Sequence, residues 1–173
     1  MDDLVGTKGI FTVECFDAEG NLKWQEIFPN TVVTVGKNLA LDTFLAGAAY
    51  TVTGPFIGLI SSVSFSAISA ADTMTSHSGW LEAGNANAPT YGAPRKTVAW
   101  SAASAGAKAF SSPAVFSMTG TGTVKGAFIV FGAGALSTID NTAGTLWSAG
   151  LFTGGDKIVG NGDVLNINYM VSM

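Results

Sequence analysis

Apolar and polar residues alternate with a period of two through several stretches of this chain, and that period is the signature of half-buried strands. Gly9 to Phe16 is β-rich and places Phe11, Val13 and Cys15 on one face. The turn Asp17-Ala18-Glu19-Gly20-Asn21 leads into Leu22 to Phe28, where Leu22, Trp24, Glu26 and Phe28 alternate with Lys23, Gln25 and Ile27. Two such runs around a short Gly-containing loop predict a hairpin. Pro55 to Ile60 is apolar without alternation and reads as a strand buried on both faces, as does the Ala127 to Phe131 half of a strand over Thr123 to Phe131. Further strands are expected over Arg95 to Ser101, Ala114 to Met118, Leu146 to Phe152 and Lys157 to Val159. The last run, Val164 to Val171, sets Leu165, Ile167, Tyr169 and Val171 against Asn166 and Asn168, so the chain is expected to close on a strand.

A period near 3.6 occurs once. Leu41, Phe44 and Leu45 fall at i, i+3 and i+4, predicting a helix over Asn38 to Ala46 that ends at Gly47. At that length it needs tertiary support and must lie against the sheet or plug one end of it. Ala71 to His77 reads as a helical turn or ordered loop, Ala83 to Pro94 as a long loop rich in Gly, Asn and Pro, and Gly132 to Asn141 as another loop. Eight to ten short strands with regular turns and one short helix predict an all-β fold, a jelly-roll or Greek-key β-sandwich. With 173 residues the whole chain, 1–173, is expected to form one domain, residues 1–30 being a hairpin or an N-terminal arm.

Charge changes this picture. Lys and Arg number 8 and Asp and Glu 12, so only 12% of residues are charged, against about 25% in an average soluble domain. Spread over the roughly 7,900 Å² that a domain of this size exposes, these charges are thin cover. Part of the surface is therefore expected to be covered by other copies or by a larger assembly. The basic residues are scattered, apart from the adjacent Arg95 and Lys96, which argues against nucleic-acid binding through phosphate neutralisation. Thr43 to Ala71 carries no charge but is broken by Gly and Pro and rich in Ser and Thr, so no membrane span is expected. Met1-Asp2-Asp3-Leu4 is acidic and resembles no signal peptide, so the chain is expected to fold inside a cell without export.

Residues that carry chemistry are few. Cys15 and His77 are the sole cysteine and histidine. Cys15 shares its strand face with Phe11 and Val13 and reads as a buried thiol, leaving Cys-His catalysis without a partner. Gly120-Thr121-Gly122-Thr123-Val124-Lys125-Gly126 lacks the Gly-Lys-Ser/Thr end of a phosphate loop, and Gly132-Ala133-Gly134 lacks the third glycine of a dinucleotide fingerprint. Asp156 and Asp163 supply oxygens near Asn161, yet Gly160-Asn161-Gly162-Asp163 is sufficient as a β-turn, so no metal is assigned. Trp24, Trp100 and Trp147 lie on strands and read as core. Trp80 lies in the loop Ser78 to Glu82, and with Leu81 it is the candidate for anchoring that loop or contacting a neighbouring subunit. No catalytic residue and no cofactor are expected.

Five short segments carry a resemblance: Gly36-x-Asn38 before the helix, Phe56-Ile57-Gly58-Leu59-Ile60, Ala71-Asp72-Thr73-Met74 leading to Gly79-Trp80-Leu81-Glu82, Gly144-Thr145-Leu146-Trp147-Ser148, and Gly162-Asp163-Val164-Leu165. Over roughly residues 30 to 170 the chain resembles small virion structural proteins of tailed bacteriophages, and among them jelly-roll capsid cement (decoration) proteins. The resemblance implies a non-enzymatic protein on the outer surface of the virion head. It would be assembled in the host cytoplasm, act as a dimer or trimer, and clamp neighbouring copies of the major capsid protein. The competing expectation is a tail-fibre or baseplate adhesion domain that binds host glycan through the Trp80 loop. A small hydrolase is disfavoured by the single histidine and the missing motifs.

Overall fold

A computed structural model describes residues 6–45 and 53–172. Over these described residues the chain forms an all-β sandwich with one helix. In chain order the elements are β1 (Lys8–Phe16), β2 (Leu22–Pro29), β3 (Thr31–Val32), α1 (Thr34–Leu45), β4 (Phe56–Ser61), β5 (Lys96–Thr97), β6 (Ala107–Ala109), β7 (Ala114–Ser117), β8 (Gly122–Phe131), β9 (Thr145–Leu151), β10 (Lys157–Val159) and β11 (Val164–Ser172). The first sheet runs β2-β1-β11-β6, with β7 also paired to β11. The second runs β3-β9-β8-β4-β5, with β10 paired to β8. Every strand pair is antiparallel. The first and last strands lie side by side, and the chain passes repeatedly from one sheet to the other.

Period-two alternation places Phe11, Val13 and Cys15 of β1, Phe28 of β2 and Leu165, Ile167 and Tyr169 of β11 on the inner face of the first sheet. They meet Ile57 and Leu59 of β4, Ala127 and Ile129 of β8, and Trp147 of β9. The hairpin of residues 8–29 is therefore part of the sandwich, its first strand flanked by β2 and β11, and not an arm reaching away from it.

The second sheet is buried on both faces, and this explains the unbroken apolar runs in β4 and β8. Its outer face holds Ile60, Phe128, Val130, Leu146 and Ala149. They are covered by Val33 and Val35 at the start of α1 and by a strap, residues 62–81, that contributes Met74, Trp80, Phe65 and Ile68.

The helix begins four residues earlier than the apolar spacing predicts. Its first turn is set by tertiary contacts. Val33 N–H donates to the Trp147 carbonyl at 3.2 Å and Thr34 N–H to the Ala70 carbonyl at 2.8 Å. A Cβ on Gly36 would lie 2.5 Å from the Trp147 carbonyl oxygen, so this position needs glycine for the helix to reach β9. Leu41, predicted to face the core, is 55% exposed, because the helix docks through Val33, Val35, Gly36 and Ala40 instead. The predicted contribution of the Phe44 and Leu45 side chains, and the Gly47 cap, lie outside the described residues.

Two strands were not foreseen, β3 and β6. Both are two or three residues long, too short for periodicity to register. The strand expected over Arg95 to Ser101 shrinks to Lys96–Thr97 with an isolated bridge at Trp100. Arg95 itself leaves the sheet surface and turns fully inward, 1% exposed.

Candidate functional site

Of the residues singled out for chemistry, Cys15 and Asp163 come together, the thiol donating to Asp163 Oδ2 at 4.0 Å, whereas His77 and Asp156 take other partners. Cys15 lies in the core between the sheets. Burial, reinforced by the negative charge of Asp163, pushes its thiol up to about 11, far from a reactive thiolate. His77 lies instead over the outer face of the second sheet, stacked on Trp80 with ring centroids 3.9 Å apart, its Nδ1 3.0 Å from the Trp80 carbonyl oxygen. Asp163 accepts hydrogen bonds from the Lys23 ammonium at 2.6 Å and from Gly160 N–H at 2.7 Å, closing its own turn. Asp156 pairs with Lys125 at 2.9 Å. Among the described residues, no three His, Cys, Asp or Glu side chains group as metal ligands would.

The tryptophans are structural. Trp147 Nε1–H donates to the Tyr169 hydroxyl at 3.0 Å in the core. Trp100 meets Phe110 edge-on, and Trp24 meets Phe152 edge-on. Trp80 is 0% exposed: its Nε1–H donates to Asp72 Oδ2 at 2.9 Å, one ring face carries His77, and Phe128 lies 5.1 Å away. Trp80 therefore anchors its own loop onto the second sheet. In this fold it presents no surface to a neighbouring subunit and no ring face to a sugar. Leu81, beside it, is half-buried.

What remains is a surface that the sequence reading did not single out. The outer face of the second sheet is roofed by the protein's own helix and strap, whereas among the described residues the outer face of the first sheet carries no such cover. Residues opposite one another in an antiparallel pair share a face. Ile10 of β1 pairs with Pro29 of β2 on one side and Met170 of β11 on the other, and Met170 pairs with Ala109 of β6. These four residues make an apolar band across four strands. Ile10 is 40% and Met170 41% exposed, and Ile27, one outward row further, is 61% exposed.

A second band lies at the other end of the same face, where Phe16 pairs with Leu22 and Val164. Between the bands the rows are mixed: Thr12 lies between Ile27 and Asn168, and Glu14 between Gln25 and Asn166, which is flanked in turn by Val115, 48% exposed. A β-bulge between Cys15 and Phe16 shifts the register there, and Lys23, expected on this outer face, reaches Asp163 instead. The signal available in the sequence was Ile27, an isoleucine at a polar-parity position of β2. Ile10 and Met170 occupy the same parity on their own strands, but only the register shows that they are neighbours.

No family model, no curated protein and no solved structure matches this chain.

Proposed function

We propose that this chain is a non-enzymatic structural protein of a tailed-bacteriophage virion, a cement protein that docks on the outer surface of the head and clamps neighbouring copies of the major capsid protein. The observation that carries the reading is the asymmetry of the sandwich. One outer face is covered by the protein's own helix and strap, and the other leaves the apolar band Pro29-Ile10-Met170-Ala109 in water. A bare apolar band on a chain with so few charges marks a surface destined for a partner. The sparse ionic cover read from composition and the five-segment resemblance support the same assignment.

Docking through such a face works by number. Each contact is small, and many copies bound to one lattice add to its stability by mass action. The test is to mix the purified protein with heads that lack a decoration layer and to image and weigh them. The reading expects saturable binding at a fixed number of copies per head, lost in Ile10→Glu. Absence of binding to such heads, or binding without saturation, overturns it.

A further inference from the structure

We infer that the free edge of β2 takes up an extended segment of the protein this chain docks on, which adds to the first sheet as a further strand. This rests on the docking reading above and names the form of the contact: backbone hydrogen bonds at the sheet edge, beside the apolar band.

Which way the backbone of β2 faces follows from one hydrogen bond. Asn30 N–H donates to the Gly9 carbonyl at 3.1 Å. Along an antiparallel pair, bonded and non-bonded positions alternate. Counting from Gly9 and Asn30, the pairs Phe11–Phe28, Val13–Glu26 and Cys15–Trp24 are bonded, and Ile10–Pro29, Thr12–Ile27 and Glu14–Gln25 are not. Pro29, which has no N–H to give, stands at a non-bonded position, in keeping with this parity. The N–H and C=O groups of Gln25 and Ile27 therefore point away from β1. β2 is the last strand of its sheet, and among the described residues no backbone hydrogen bond reaches these four groups. A single side chain touches them. The Thr153 hydroxyl lies 3.5 Å from the Ile27 carbonyl oxygen and 3.4 Å from Glu26 Oε2, one proton shared between two long contacts.

The open stretch is bounded at both ends. Pro29 closes one end by lacking a donor, and the bulge opposite Cys15 and Phe16, which puts Lys23 out of step, closes the other. Such devices keep an edge from templating endless strand pairing. What remains is two residues whose outward groups repeat about 6.8 Å apart. Paired donors and acceptors at that spacing are matched by the backbone of another extended chain, the recognition used in strand addition.

The side chains fit the same occupant. Ile27 is 61% exposed on the outer face of this edge strand, one outward row from the band of Pro29, Ile10 and Met170. A strand laid along β2 covers the open flank of Ile27 and carries the apolar face one strand further. The incoming segment is thus expected to set an apolar or β-branched residue beside Ile27 and a polar one beside Gln25.

Hydrogen exchange read residue by residue tests this, on the free protein and on protein bound to heads that lack a decoration layer. In the free protein the amides of Trp24 and Glu26, bonded to β1, should exchange slowly and those of Gln25 and Ile27 fast. On heads, Gln25 and Ile27 should slow by about tenfold or more, which gives protection at alternate residues that contact through the sheet face alone would not produce. Gln25→Pro removes an outward N–H at the parity where β2 already carries a proline, and should raise the half-saturating concentration about tenfold. Gln25→Ala, which keeps the backbone, should stay within about twofold of wild type. Slow exchange at Gln25 and Ile27 in the free protein would show an edge already covered, by the chain itself or by another copy, and overturns the inference. So does head binding that leaves these two amides fast, or that a folded Gln25→Pro retains; the docking reading then stands without the added strand. Absence of binding to heads removes the docking reading and the added strand with it.

Discussion

Arg95 grips Glu82 through two parallel hydrogen bonds, Nε to Oε1 at 2.8 Å and Nη2 to Oε2 at 2.6 Å, with none of the arginine side chain exposed. The pair is tied into its surroundings. Arg95 also donates to the carbonyls of Leu136 at 3.1 Å and Asn141 at 2.7 Å, and Glu82 Oε2 accepts Asp140 N–H at 2.8 Å. The guanidinium lies 5.4 Å from the centre of the Phe128 ring. One buried ion pair thus holds the long loop after residue 82 and the loop of residues 132–141 to the same rim of the second sheet.

Removing one member of this pair leaves an unpaired buried charge. Arg95→Ala is expected to lower the unfolding free energy by about 3–5 kcal/mol. Urea denaturation followed by tryptophan fluorescence measures it. A loss under 1 kcal/mol would mean that water already reaches Glu82.

Trp80→Ala removes the side chain that pins the strap to Phe128 and leaves Asp72 without its indole donor. A loss of about 3–5 kcal/mol is expected in the isolated protein, with Trp80→Phe losing less because the ring volume is largely kept. Differential scanning calorimetry distinguishes this from an assembly role, which would leave the free protein's melting temperature unchanged.

Gly9 permits a polar knot inside the core. The Tyr169 hydroxyl accepts from Asn30 Nδ2 and from Trp147 Nε1, each at 3.0 Å. A Cβ at position 9 would collide with the Tyr169 hydroxyl and with Asn30 Oδ1. Gly9→Ala should therefore cost about 1–3 kcal/mol through overpacking, read as a lower urea midpoint. An unchanged midpoint would show that β1 can shift away from the tyrosine.

Cys15 links stability to alkaline pH. Below pH 9 the thiol is protonated in both the folded and unfolded chain. Between 9.0 and about 11 the unfolded thiol ionises while the folded one, held neutral by burial, does not. Stability contributed by this residue is therefore intact below pH 9 and is lost as pH rises through about 11. Cys15→Ala should show a shallower alkaline decline than wild type in pH-dependent urea melts. In the native protein a thiol reagent should label Cys15 only as fast as the chain unfolds.

Glu26 does the same at acid pH with the opposite sign. The hydrogen bond from the Lys157 ammonium, at 2.6 Å, holds its carboxyl below the ordinary value of 4.5. Its contribution is present above that value and is lost as pH falls through the folded pKa. Glu26→Gln should flatten the acid limb of the stability profile. An unchanged limb would show that the pair contributes nothing to folding.

The parts of this fold legible in the sequence were those in which one period repeats long enough to be read. The hairpin of β1 and β2, the doubly buried half of β8 and the clean alternation of β11 belong to that group, because each must satisfy a single environment over five residues or more. Decisions made by partners distant in the chain were not legible. The start of α1 depends on β9 and on Ala70, and Lys23 turns to Asp163 at a bulge. Trp80 disappears beneath its own strap, and Arg95 pairs inward across thirteen positions. The apolar band Pro29-Ile10-Met170-Ala109 belongs there too. Its four members come from four strands, and each looks like an ordinary surface residue in its own segment. Only strand pairing, which is set by the packing of the whole core, brings them into one row. Local pattern settled where the longer strands lie, and composition settled that few charges are available to the surface. Tertiary structure decided which of the two outer faces the chain covers for itself and which it leaves open, because that depends on where the helix and the strap find apolar surface to bury.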